Sequence, residues 1–232
     1  MPEFAMPPVS TFLEQSFLML VAAVAALFVV TQARLGHRMR GVVVVALWLG
    51  VAGALARSGV LAELSRMPPP FALMVLGYAA ATIALAFSPL GTQLVERAPL
   101  AWLVGYQAFR IPVEIILHES YEEGLIPVQM TWSGMNFDVV TGVSALVVAA
   151  LAARGRAPRA LVAAWNVLGC ALLATIVTVA FLSAPTPLRV FMNEPANTIV
   201  TTFPYVWLPA FLVQAALFGH VLVFRWLARA RS

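Results

Sequence analysis

The sequence predicts an all-α fold: a polytopic membrane protein, a bundle of seven transmembrane helices with the N-terminus outside and the C-terminus cytoplasmic. Three observations predict it. The 232 residues are 62% apolar and only 10% charged, whereas a soluble domain runs near 45–50% apolar and about 25% charged. The apolar residues gather into seven stretches of the roughly 20 residues that a bilayer core requires. The arginines collect in alternate connections, which is the pattern that fixes orientation in a membrane.

The first span covers 11–32. No basic segment precedes it and no small-residue cleavage site follows it, so it reads as a retained helix. The second covers 41–62, after the turn signal at Gly36. The run Met67-Pro68-Pro69-Pro70 separates it from the third, 70–90, which Ser88-Pro89 closes. The fourth begins at Pro99 and covers 99–118, with a continuation toward Glu123. The fifth, 137–153, is short but apolar, and Asn136 precedes it as a helix cap. Pro158 opens the sixth, 160–183. Pro185, Pro187, Pro195 and Pro204 interrupt the chain before the seventh, 203–227. All 232 residues form one transmembrane domain on this reading.

Arg34, Arg38, Arg40, Arg97, Arg154, Arg156, Arg159, Arg225, Arg229 and Arg231 fall on one side of such a bundle; Arg57, Arg66 and Arg189 fall on the other. Arginine excess marks the cytoplasmic side. An N-out, C-in chain needs an odd number of spans, and seven satisfies it. The expected location is a bacterial cytoplasmic (inner) membrane, multi-pass, with the lipid bilayer as the main partner and no nucleic acid.

Composition excludes several classes. All 14 basic residues are arginine, so a retinal Schiff base and a phosphate-binding lysine loop are both absent. Cys170 is the single cysteine, which rules out a dithiol exchanger. Asp138 is the single aspartate, which rules out an aspartyl protease dyad. His37, His118 and His220 are the histidines. His220 is expected near the cytoplasmic face, far from His118, which disfavours a haem held between them.

Polar groups inside a membrane point to function, since a charged side chain there costs about 2.5–3.5 kcal/mol. The fourth span carries most of them. Gln107, Arg110, Glu114, His118 and Tyr121 lie within roughly 80° of one another around a helix. Arg110 lies about 18 Å from the cytoplasmic end, near the bilayer middle. Pro112 deprives the carbonyl of Ala108 of its partner, which predicts a kink. Arginine four residues before glutamate is the poorer order for a helical pair, so the partners of Arg110 are sought on other helices. Glu114 and Glu14 are the leading carboxylates. Asp138 reads both as an orienting group and as a simple complement to the dipole of the fifth span. The loop 119–136 contains Leu125, Ile126, Val128, Met130 and Trp132, too apolar for water, so it is expected to pack over the bundle.

The stripe predicts a polar, outward-facing cavity that binds, and transports, a small polar or anionic ligand. Arg110 is the expected anion partner, Glu114 and His118 the expected proton-exchanging groups, and Gln107 and Asp138 the expected orienting groups. One alternative is a membrane hydrolase or transferase using the same stripe. Glu114, His118 and Glu122 at i, i+4, i+8 give such an enzyme a possible metal chelate, with no HExxH or CxxC in support. Another alternative is a non-catalytic subunit whose stripe meets a partner helix. No cofactor is implied by the sequence.

Overall fold

The computed structural model describes residues 8–229. They form α-helices joined by short 3-10 turns, with no strand among them. The helices are α1 (Thr11–Arg34), α2 (Arg38–Arg57), α3 (Pro70–Phe87), α4 (Pro89–Arg97), α5 (Leu100–Gly105), α6 (Arg110–Glu122), α7 (Val139–Ala153), α8 (Arg159–Leu182) and α9 (Val213–Arg229). Six helical stretches are long and apolar enough to cross a membrane: α1, α2, α3, Leu100–Glu122, α8 and Leu208–Arg229. The apolar α7 is shorter, at 15 residues. This is the fold of a multi-pass helical membrane protein.

The last helix is the hub. It packs against α3, α4, α5 and α8. Around it α5 and α6 pack on α7, α7 packs on α8, and α1 packs on both α2 and α6. Ser10 caps α1 by accepting from the Leu13 N–H at 3.1 Å. Ser10 also donates from its own N–H to Glu123 Oε2 at 2.9 Å and from its hydroxyl to Glu123 Oε1. This pair of bonds ties the N-terminal tip of α1 to the end of α6.

The boundaries follow local chemistry. The stretch from 88 onward is a separate helix, α4, rather than the tail of the third span and a loop. Ser88 caps it and Pro89 occupies its first turn, the arrangement that starts helices. The fourth span is continuous but changes pitch. Tyr106–Phe109 tighten into a 3-10 turn one turn before Pro112, where the missing N–H was expected to disturb the ladder. The last span starts later than the sequence suggested. A π-turn at Leu208–Leu212 opens it, and the preceding residues form 3-10 turns and coil.

The π-turn leaves carbonyls that regular helix would use, and side chains receive them. Trp48 Nε1 donates to the carbonyl of Ala210 at 2.6 Å, and Gln214 Nε2 donates to that of Pro209 at 3.0 Å. The loop 119–136 packs down as its apolar content requires. Leu125, Ile126 and Met130 are buried in the core, and Gln129 Nε2 donates to Ser183 Oγ at the end of α8, at 2.9 Å.

Candidate functional site: a buried charged network under a cavity

Arg110 starts α6 and is 2% exposed. Its guanidinium grips Asp138 side-on: Nε donates to Oδ2 at 2.6 Å, and Nη2 donates to Oδ1. This is the two-pronged geometry that suits arginine and carboxylate. The partner carboxylate is therefore Asp138, rather than Glu114 or Glu14. Asp138 immediately precedes α7, but its side chain makes no capping bond there. Asn136, expected as the helix cap, instead shapes the turn before α7: its Oδ1 accepts from the Asp138 N–H at 3.1 Å.

The third prong of Arg110 reaches α9. Its Nη1 lies 2.8 Å from His220 Nε2. A guanidinium only donates, so Nε2 must be the acceptor. The ring proton is then on Nδ1, which lies 2.8 Å from Asn166 Oδ1 and donates to it. Asn166 Nδ2 closes the ring by donating to the His220 carbonyl at 3.1 Å. Every member fixes its neighbour, and His220 is neutral in this arrangement.

His220 was expected near the cytoplasmic face. It lies instead at the depth of Arg110, because the span begins at Leu208 and not at 203. Counted from Leu208 in the one stretch and from Glu122 in the other, His220 and Arg110 are equally deep. Gly169 makes room for the ring. A Cβ there would meet His220 Nε2 at 3.0 Å and Thr141 Cγ2 at 2.8 Å. Gly219 does the same for Tyr106, whose hydroxyl donates to the carbonyl of Ala215.

Glu114 stands one turn further along α6, 1% exposed. Asn136 Nδ2 donates to both its oxygens, at 2.9 and 2.7 Å, and also to the carbonyl of Met130 at 3.1 Å. Arg110, Glu114 and Asp138 together border a cavity of about 90 Å³. The rest of its wall is largely apolar, with Phe71, Leu117, Ile176 and Leu212 among the lining side chains and Asn197 as another polar member.

The expected site residues divide. Arg110, Glu114 and Asp138 come together at the cavity. Gln107 lies beside the network and not on the cavity wall; its Nε2 donates to the Ala216 carbonyl at 2.9 Å, fastening the 3-10 turn to α9. His118 lies apart from the other three. It stacks on Trp132 with centroids 4.4 Å apart and faces the exposed Glu122 at 3.9 Å. It is absent from the cavity wall. The one further turn that aligns it with Glu114 carries it toward the end of α6, where Trp132 of the loop lies over it. Among the described residues no group of three or more His, Cys, Asp or Glu is placed to hold a metal ion. Arg110, expected to hold an anion, is already engaged by Asp138 and His220.

Four contributors were not placed at the site by sequence reasoning: Asn136, read only as a helix cap, and His220, Asn166 and Asn197. Asn166 and His220 are polar residues in apolar spans, but their convergence depends on how α8 and α9 meet. Asn197 lies in an irregular segment with no periodicity to read.

The fold and site define a helical membrane protein with a buried, hydrogen-bonded charged layer bordering a largely apolar cavity. Residues 67–228 match a family described as a domain of unknown function, DUF8737, and the chain belongs to that family. No curated protein and no solved structure matches it. The network and every residue lining the cavity lie within the matched segment.

Proposed function

We propose that this is a seven-span protein of a bacterial cytoplasmic membrane, N-terminus outside and C-terminus inside, that binds a small ligand with a polar head in this cavity and transports it. The observation that carries the reading is the cavity floor. Three ionisable side chains from α6 and the start of α7 are gathered where burial is costly, and they border one cavity. Transport draws support from a second cavity of about 80 Å³, lined by Thr31, Leu94, Trp102 and Leu222 toward the arginine-rich end. The two cavities take opposite sides of the last helix.

The seventh span in this proposal is α7. Its 15 residues rise about 22 Å, short of a full bilayer core. It packs against both α5 and α6, which supports a crossing alongside them, with a local adjustment of bilayer thickness.

A density map of protein extracted gently from its own membrane tests the binding reading. Non-protein density should lie against Arg110 and Glu114. A dry, empty cavity in such a preparation sinks the proposal. Single cysteines test the orientation. One near Arg38 or Arg156 should resist impermeant thiol reagents in whole cells, and one near Gly134 should react. Labelling near Arg156 from outside would overturn the N-out, C-in arrangement.

A further inference from the structure

The polar groups of the cavity are unequal, and the inequality bears on what the cavity takes. Arg110 and Asp138 cancel one another through two hydrogen bonds. His220 spends its lone pair on Arg110 and its proton on Asn166. Glu114 is left with a neutral partner, the single amide nitrogen of Asn136 shared between its two oxygens. As a carboxylate it is the uncompensated charge of the layer. A carboxylate has about four acceptor sites, and Asn136 cannot fill them.

An independent group points the same way. Asn197 is 1% exposed and lines the cavity. Its Nδ2 donates to the carbonyl of Ala180 at 3.0 Å, which fixes the amide; its Oδ1 is buried with no hydrogen-bond partner. A buried acceptor left unmade is costly. Both groups with unspent capacity are therefore acceptors, and they share one cavity whose remaining wall is largely apolar.

Charge counting separates the candidate occupants. An anionic head would put three negative groups around one guanidinium. A cationic head would balance two carboxylates with two cations, and its N–H groups could meet Glu114 and Asn197. Buried charges are tolerated when paired and hydrogen-bonded. We propose that the cavity takes a small primary alkylammonium, its –NH₃⁺ received by Glu114 and the Asn197 carbonyl, its short alkyl chain lying against Phe71, Ile176 and Leu212. This rests on the reading that the cavity is a ligand site, and it replaces the expected anion with a cation.

The test uses the full-length protein in detergent micelles and three probes of one length: n-hexylammonium, n-hexanol and n-hexanoate at pH 7.5. Saturable binding is read by calorimetry above the heat of micelles alone. The order expected is ammonium tightest, alcohol weaker and carboxylate weakest. Glu114→Gln should weaken the ammonium by about tenfold or more, as the loss of a charge-assisted bond implies, and leave the alcohol within about twofold. Should that variant fail to fold, Asn197→Leu supplies a second arm and should weaken the ammonium selectively. Ala180→Phe, which fills the cavity from α8, should abolish saturable binding of all three. If the alcohol or carboxylate binds wild type as tightly as the ammonium, the cavity reading stands and the cation assignment is overturned. If none of the three binds, the cavity reading falls and takes the assignment with it.

Discussion

The pair α1–α2 and the last helix are similar in length and apolar content, yet they solve different problems. Only 17% of the apolar stretch of α2 is buried within the protein, against 56% of that of Leu208–Arg229. On α2, Met39, Val43, Leu47 and Val51 are uncovered, as suits side chains that meet lipid tails. The last helix carries Gln214, Gly219 and His220, all buried and all in contact with other helices. In a bilayer, apolar side chains gain little by leaving lipid for protein, so packing and polar contacts decide which helix is central. The polar interruptions mark the hub, and the uninterrupted apolar run marks the periphery.

The largest expected effect comes from unbalancing the layer. Arg110→Met leaves Asp138 buried without its cation and should cost about 3–5 kcal/mol, read as a fall in thermal stability in detergent. The double change Arg110→Met with Asp138→Asn should be less damaging than the single one. If the double variant is the worse of the two, the pair is not a self-neutralising unit.

Next comes crowding at the hub. Gly169→Ala puts a Cβ against the His220 ring and Thr141 and should destabilise by about 1–3 kcal/mol. Gly50 of α2 has open space around it, so Gly50→Ala is the matched control and should be neutral or stabilising. Equal losses at both positions would erase the contrast between the two regions.

A smaller effect is expected where α1 is fastened to the end of α6. Glu123→Gln weakens both bonds to Ser10 and should cost about 1–2 kcal/mol, with faster proteolysis at the N-terminal end as the accompanying sign. Smallest of all, Leu47→Ala or Val51→Ala on the lipid face of α2 should stay within about 0.5 kcal/mol of wild type. A loss of several kcal/mol at Leu47 would mean that this face is covered in the membrane, by another chain.

The helices were legible because their length and apolar content are set by the membrane. Even the separate α4 had its signal in Ser88-Pro89, a cap followed by a first-turn proline. Arg110, Glu114 and Asp138 were legible as a site because charges in spans are rare. Their pairing was not. Helical periodicity aligns Glu114 with Arg110 on one helix, but the bidentate partner arrives from α7, and only the register between α6 and α7 selects it. His118 shares the stripe but not the cavity: the 119–136 loop lays Trp132 against it, and helical periodicity says nothing about where a loop folds. His220 was misplaced because the span was counted from 203, although Pro204 already interrupts the chain there and the helical stretch begins at Leu208.

The π-turn at Leu208–Leu212 also bears on how the chain is built. Its Ala210 carbonyl is received by Trp48, far earlier in the sequence, and Thr82 of α3 donates to the Gln214 side chain beside it at 3.1 Å. Irregular backbone is tolerated at membrane depth only when something receives it. The ribosome delivers α2 and α3 first, so the last helix enters a bilayer in which its receivers already stand. The same helix synthesised first, as in a circular permutant opening at the α8–α9 connection, would meet lipid with its backbone unmet. Chain order is thus part of what makes this hub insertable.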